Sequence, residues 1–163
     1  MIAAAQVVFR NEHGESCLEW LSKELQRAGV TCSPTEWRGY GAAVAQLLVP
    51  TSPVSLTIQV ESDPAYVSEE IAELADDAKP LLSSDLDASL RSCDTRLDIM
   101  STTPTKVIET DCEISVFART DLDPARPEVE RVLLVLSEIT GGFVVDCVNG
   151  RLRAPASCQW TEL

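Results

Sequence analysis

Basic residues are scarce in this 163-residue chain: 13 Lys and Arg stand against 26 Asp and Glu, a net charge of −13 and a pI near 4.4. That balance excludes nucleic acid and anionic membrane as direct partners, because phosphates are repelled at long range. Histidine is rarer still. His13 is alone in the sequence, with no neighbouring Ser or Cys to complete a nucleophilic triad. The six cysteines, at 17, 32, 93, 112, 147 and 158, include no Cys-x-x-Cys pair. Their spacing excludes a zinc site and fits reduced, half-buried side chains. No Gly-rich phosphate loop, Ser elbow or His-Glu-x-x-His occurs, so neither a cofactor nor a metal is expected. No apolar run approaches the roughly 18 residues that a membrane span needs. The first ten residues lack a positive n-region and break their apolar run at Gln6, which reads as a strand and not a signal peptide. A cytoplasmic location is expected.

What is present describes an ordinary globular chain: 45% hydrophobic, 24% charged, with scattered aromatics. At this length it buries roughly 70% of its unfolded surface as one domain, 1–163, built of two half-units at about 1–62 and 63–163. In order, the pattern predicts a strand at 2–9, then an amphipathic helix at 15–28 with Cys17, Leu18, Leu21, Leu25 and Ala28 on its inner stripe. Gly29 stands where a C-cap belongs. Residues 31–41 read as a loop. The apolar run 42–49 and the alternating run 54–60 read as a hairpin. A helix follows at 66–81, broken near Pro80, then a short one capped from Ser83-Ser84-Asp85. Strands are expected at 97–100 and 113–118, with 106–108 extending either. A helix runs from about Asp123 to Thr140, and a hairpin turns at Asn149-Gly150. A short tail carries Trp160. The expected fold class is α+β, a largely antiparallel or mixed sheet with helices packed on one face, roughly βαββ–αα–ββαββ.

Charge is not spread evenly. Residues 61–100 hold eleven acids and three bases, eight of the thirteen net negative charges. In the helix at 66–81, Val67, Ile71, Leu74, Ala78 and Leu81 recur at helical spacing and stack on one face. Glu69, Glu70, Glu73, Asp76 and Asp77 fall on the opposite and flanking side. Like charges three and four apart cost a few tenths of a kcal/mol per pair in an isolated helix. A pattern carrying that cost points to a basic partner, against the plainer reading of a solvated face. Asp85 and Asp87 extend the same acidic stretch. Trp37 and Tyr40, in the loop with Arg38 and with Gly39 and Gly41 bracketing Tyr40, are candidate aromatic anchors, aromatic and Arg residues being favoured hot spots; the plainer reading folds Trp37 back on the core.

Other carboxylates have structural explanations. Asp121 and Asp123 precede a helix and read as caps. Asp146 and Cys147 are consecutive on a strand and point to opposite faces, so they are not a dyad. Asp94 and Asp98 match no loop pattern for a cation. No enzymatic activity is expected.

The segment 118–152 resembles the end of small cytosolic bacterial domains: a strand, a helix ending at Gly141, then Phe143-Val144-Val145-Asp146 before the Asn149-Gly150 turn. Some of those domains look like immunity proteins, which neutralise toxins delivered by type VI or contact-dependent secretion. The likeness covers about a fifth of the chain and rests on fold-making motifs, so it carries no binding residue across. It implies a protein that occludes a toxin without doing chemistry. Together with the charge, it sets the expectation of a basic protein toxin as partner, a nuclease or nucleotide-targeting effector acting in the cytosol. The rival readings are a self-associating structural or adaptor protein, a homodimer through a sheet edge or helix face, and an enzyme with two carboxylates in a cleft.

Overall fold

A computed structural model describes residues 3–52, 54–102 and 122–163. The strands are β1 (Ala5–Phe9), β2 (Ser33–Gly39), β3 (Ala42–Val49), β4 (Leu56–Glu61), β5 (Thr95–Ser101), β6 (Phe143–Asp146), β7 (Arg151–Arg153) and β8 (Thr161–Glu162). The helices are α1 (Cys17–Arg27), α2 (Pro64–Ala78), α3 (Ser84–Arg91) and α4 (Pro127–Thr140). All eight strands join one antiparallel sheet in the order β2-β3-β4-β5-β1-β6-β7-β8. The α+β class holds. The expected strand at 113–118, the segment 106–108 and Asp121 lie outside the described residues.

β1 lies inside the sheet, between β5 and β6, and is apolar on both faces. Val7 and Phe9 join a core with Cys17, Leu21 and Leu25 of α1 and Val129, Val132, Leu133 and Leu136 of α4. Val8, pointing the other way, joins a second core with Val67, Ile71, Ala75 and Ala78 of α2, Leu90 of α3, and Phe143, Val145 and Leu152. The helices therefore divide between the two faces, α1 with α4 and α2 with α3. The expectation of one covered face fails because β1 and β6 carry buried apolar residues at consecutive positions, a run that demands cover on both sides.

Local signals set most boundaries. α2 starts at Pro64, capped by Asp63, whose carboxylate accepts from the Ala65 N–H at 2.9 Å. Pro80 ends it in a short 3₁₀ turn, and Ser83 Oγ caps α3 by accepting from Leu86 N–H at 3.3 Å. α4 departs from expectation. Its N-cap is Arg126, and Asp123 instead closes the preceding turn by accepting from Ala125 N–H at 2.9 Å.

Residues 33–39, expected to lie in a loop, form β2, paired residue for residue with β3 from Ser33↔Leu48 to Gly39↔Ala42. None of its seven residues is fully buried, so no period-2 apolar pattern marks it. The expected tail adds β8, and Trp160 does turn inward: its Nε1 donates to Glu130 Oε1 at 3.0 Å while the Arg151 guanidinium stacks 4.0 Å above its ring.

Gly142 leads into β6 under β1. A Cβ placed there would meet the Val8 carbonyl oxygen at 2.6 Å and Phe9 Cβ at 3.0 Å, neither of which yields without moving the central strand. Gly142→Ala is expected to cost about 1–3 kcal/mol, as overpacking does, read as a lowered urea midpoint at unchanged m.

Candidate functional site

Because α2 buries Val67, Ile71, Ala75 and Ala78, its opposite arc faces water. Glu69, Glu70, Glu73, Asp76 and Asp77 are all exposed on it, and Asp85 is exposed on the neighbouring α3. The acids separate into two sets. Glu70 pairs with Arg96 of β5, whose guanidinium also clasps Asp98, Nε to Oδ1 at 2.7 Å and Nη2 to Oδ2 at 3.0 Å. Asp76 takes Arg91 Nη2 at 2.7 Å, and Asp87 takes Arg91 Nε at 3.1 Å. Arg91 is held further above its usual range as a result, by Asp76 first and Asp87 second.

Glu69, Glu73 and Asp77 pair with no Lys or Arg among the described residues, and neither does Asp85. The three α2 acids stand at i, i+4 and i+8, a single row about 12 Å long at 1.5 Å rise per residue. Tyr66, 63% exposed, heads the row. Leu81, 47% exposed, lies beyond its foot. Leu81, expected on the buried stripe, is instead carried out by the 3₁₀ turn at Pro80, and on the stripe itself Ala75 is buried with Leu74 half-buried beside it. Tyr66 was missed as a surface residue, although its spacing three before Glu69 puts it on the row.

Trp37 and Tyr40 do not join this surface. They sit on the β2–β3 hairpin at the sheet edge, four strands from β1, roughly 19 Å at the usual strand spacing. Trp37 is half-buried with its ring lying over Gly39, where an added Cβ would come within 2.5 Å of it. Tyr40 is fully exposed at the hairpin tip.

Elsewhere several polar groups are engaged in structure. His13 stacks on Trp20, centroids 4.0 Å apart. Asp146, wholly buried, takes Arg151 Nε at 2.7 Å and Asn149 Nδ2 at 2.8 Å. Asp123 is held below its usual range, chiefly by the Ala125 N–H and then by the Asn149 amide. Surface depressions lie beside His13 and Trp20, against Glu138 and Arg153, and between Pro50 and Arg131; each is lined by a single carboxylate, Glu12, Glu138 and Glu128 respectively. No group of three potential metal ligands exists among the described residues. No helix there is long and apolar enough to cross a membrane. Comparison with known protein families, with curated proteins and with solved structures gives no match.

Two measurements check this description. Arg96→Met leaves Asp98, whose side chain is only 13% exposed, without its cation and with the Gln6 amide at 3.3 Å as a remaining donor. The expected loss is about 1–3 kcal/mol, and Asp98→Asn in the same chain should recover part of it in a double-mutant cycle of urea midpoints. Burial first, and the Asp94 charge second, push the Cys17 thiol up to about 11. At pH 8 it stays protonated, so iodoacetamide should label exposed Cys158 of the folded protein and leave Cys17 unmodified, read by peptide mass spectrometry.

Proposed function

We propose that this chain is an immunity or inhibitor protein that binds a basic protein toxin through the outward face of α2 and blocks it by occlusion. The observation that carries the reading is the row Glu69, Glu73, Asp77. Among the described residues Arg91 and Arg96 reach this surface and are used on Glu70, Asp76 and Asp87, leaving the row and Asp85 without a paired cation. Exposed like charges at helical spacing destabilise a helix slightly, and among the described residues no Lys or Arg pairs with this row. Its negative field would speed encounter with a basic surface and reject phosphate backbones. Tyr66 and Leu81 at the ends of the row supply apolar contact beside the charge, with Tyr66 as the aromatic anchor.

In this reading the chain works in the cytosol on a toxin that acts there, a nuclease or nucleotide-consuming enzyme, the class whose active surface must be basic to hold phosphates. In this reading the protein does no chemistry of its own. It inhibits by standing where the toxin's substrate would stand.

The test compares the wild type with E69K/E73K/D77K in affinity capture from native lysate, followed by kinetics on the recovered protein. A basic toxin domain retained by the wild type should associate with the triple variant at least about tenfold more slowly, and the variant should fail to protect cells from that toxin. Circular dichroism and urea midpoints should stay nearly unchanged, since all three positions are on the surface. Equal association by both proteins removes α2 from the interface.

A further inference from the structure

The two edges of the sheet are finished differently. β8 closes one side after two residues, whereas β2 closes the other with seven. Edge strands are ordinarily blunted by brevity, lysine, proline or a bulge. β2 holds no lysine, and its proline, Pro34, sits near one end. Its hairpin also overhangs the sheet. β3 pairs with β4 only over residues 47–49, so residues 42–46 have β2 as their one paired strand among the described residues. A two-stranded ribbon is marginal in water on its own, and three or more strands are needed for independent stability. The hairpin is moreover the neutral part of an acidic chain: residues 33–49 hold one acid, Glu36, and one base, Arg38.

The backbone groups on the outer edge of β2, which pairs with no further strand among the described residues, follow from the turn. Tyr40 and Gly41 have φ of 50° and 75°, a primed two-residue loop, which closes on a hydrogen-bonded pair, Gly39 with Ala42. Hydrogen-bonding positions alternate along an antiparallel strand. Thr35, Trp37 and Gly39 thus turn their N–H and C=O groups to β3, while Glu36 and Arg38 turn theirs outward, and Pro34 spends its missing donor there.

We propose that this edge pairs with the same edge of a second copy of the chain, antiparallel about a two-fold axis through Trp37. Among the symmetric registers centred on Glu36, Trp37 or Arg38, the first sets Glu36 against Glu36 and the last sets Arg38 against Arg38. The middle one sets Glu36 opposite Arg38 of the second copy, twice by symmetry. Each of those pairs exchanges both outward backbone groups, and the two Trp37 residues face each other in the non-hydrogen-bonded position between them, where side chains come closest. Glu36 and Arg38 already share a face, Arg38 Nη2 lying 3.3 Å from Glu36 Oε2, so the four charges form one compact, neutral cluster. The overhang becomes four strands, β3-β2-β2-β3, and the contact is isologous and closed.

This proposal is independent of the toxin reading and its test separates the two. Sedimentation at about 0.15 M salt, where screening shortens to about 8 Å, should show wild-type monomer and dimer in concentration-dependent exchange. Glu36→Arg and Arg38→Glu each place like charges opposite one another and should each weaken the dimer at least about tenfold. An equimolar mixture of the two variants restores both opposite-charge pairs and should recover the dimer as a heterodimer, as should the double exchange E36R/R38E with itself. Both residues are exposed, so folding is checked by circular dichroism on each protein. A wild type that stays monomeric up to about 1 mM overturns the proposal and leaves the edge to a strand from another protein. A dimer unaffected by either single substitution, or a mixture that stays monomeric, overturns it as well.

Discussion

A strand that is apolar on both faces has to be covered on both, and β1 imposes that constraint on the whole molecule. Val7 and Phe9 look one way and Val8 the other, each essentially without solvent exposure. Every such side chain contributes about 1.5–3 kcal/mol when removed from water, so neither face can be left open. The chain answers with α1 and α4 on one side and α2 and α3 on the other. Cover for Val8, Phe143 and Val145 comes from a helix whose inner stripe is Val67, Ile71, Ala75 and Ala78. Such a helix must offer its remaining arc to water. The acidic display on α2 is thus the reverse side of a packing requirement, and its orientation is as fixed as the core beneath it.

Two arginines decide what that display amounts to. Arg91 ties α3 to α2 through Asp87 and Asp76, and Arg96 ties α2 to β5 through Glu70 and Asp98. The exposed arms of these bridges contribute little, about 0–1 kcal/mol for a pair in water. The Arg96–Asp98 clasp is different because both side chains are only 13% exposed, and removing one partner there leaves a charge poorly solvated. Arg96 is therefore held in place by the sheet, and being held it neutralises Glu70 on the helix above. The surface pattern, with its flanking acids quenched and Glu69, Glu73 and Asp77 left in a row, follows from an ion pair anchored in the sheet.

Much of the fold could be read from periodicity, because helices and half-buried strands advertise themselves at 3.6 and 2 residues. α1, α2, α4 and the β3–β4 hairpin fall close to their expected spans, as do the capping by Ser83 and the end of α2 at Pro80. β2 escaped because its half-buried face, Thr35, Trp37 and Gly39, carries only one large apolar side chain, so its alternation leaves no apolar pattern in the sequence. Two-sided helix cover escaped because a run such as Phe143-Val144-Val145 reads only as buried, with no indication of what buries it. The site divides in the same way. That the acids of α2 share one side is a matter of spacing alone. Which of them keep their charge is not, since Arg91 lies 15 residues from Asp76 and Arg96 lies 26 from Glu70. The grouping of Trp37 and Tyr40 with those acids had no local basis, and the strand order sets them apart.

That separation has a consequence for how the two proposed surfaces would work together. The open edge of β2 and the row on α2 lie on opposite sides of three intervening strands, β3, β4 and β5, so occupying one leaves the other uncovered. A two-fold pair through β2 would carry its acidic rows at the outer parts of a doubled sheet, each reaching solvent separately. Under the proposed function such a dimer would bind two toxin molecules, one per protomer, and would gain no avidity against a monomeric toxin, because avidity requires both sites to engage one partner at once. What it gains is in the hairpin itself, which exchanges a two-stranded overhang for a four-stranded one. Self-pairing at this edge would then be a matter of stability and of guarding an open strand against unwanted partners, while recognition, as proposed, would fall to the row on α2.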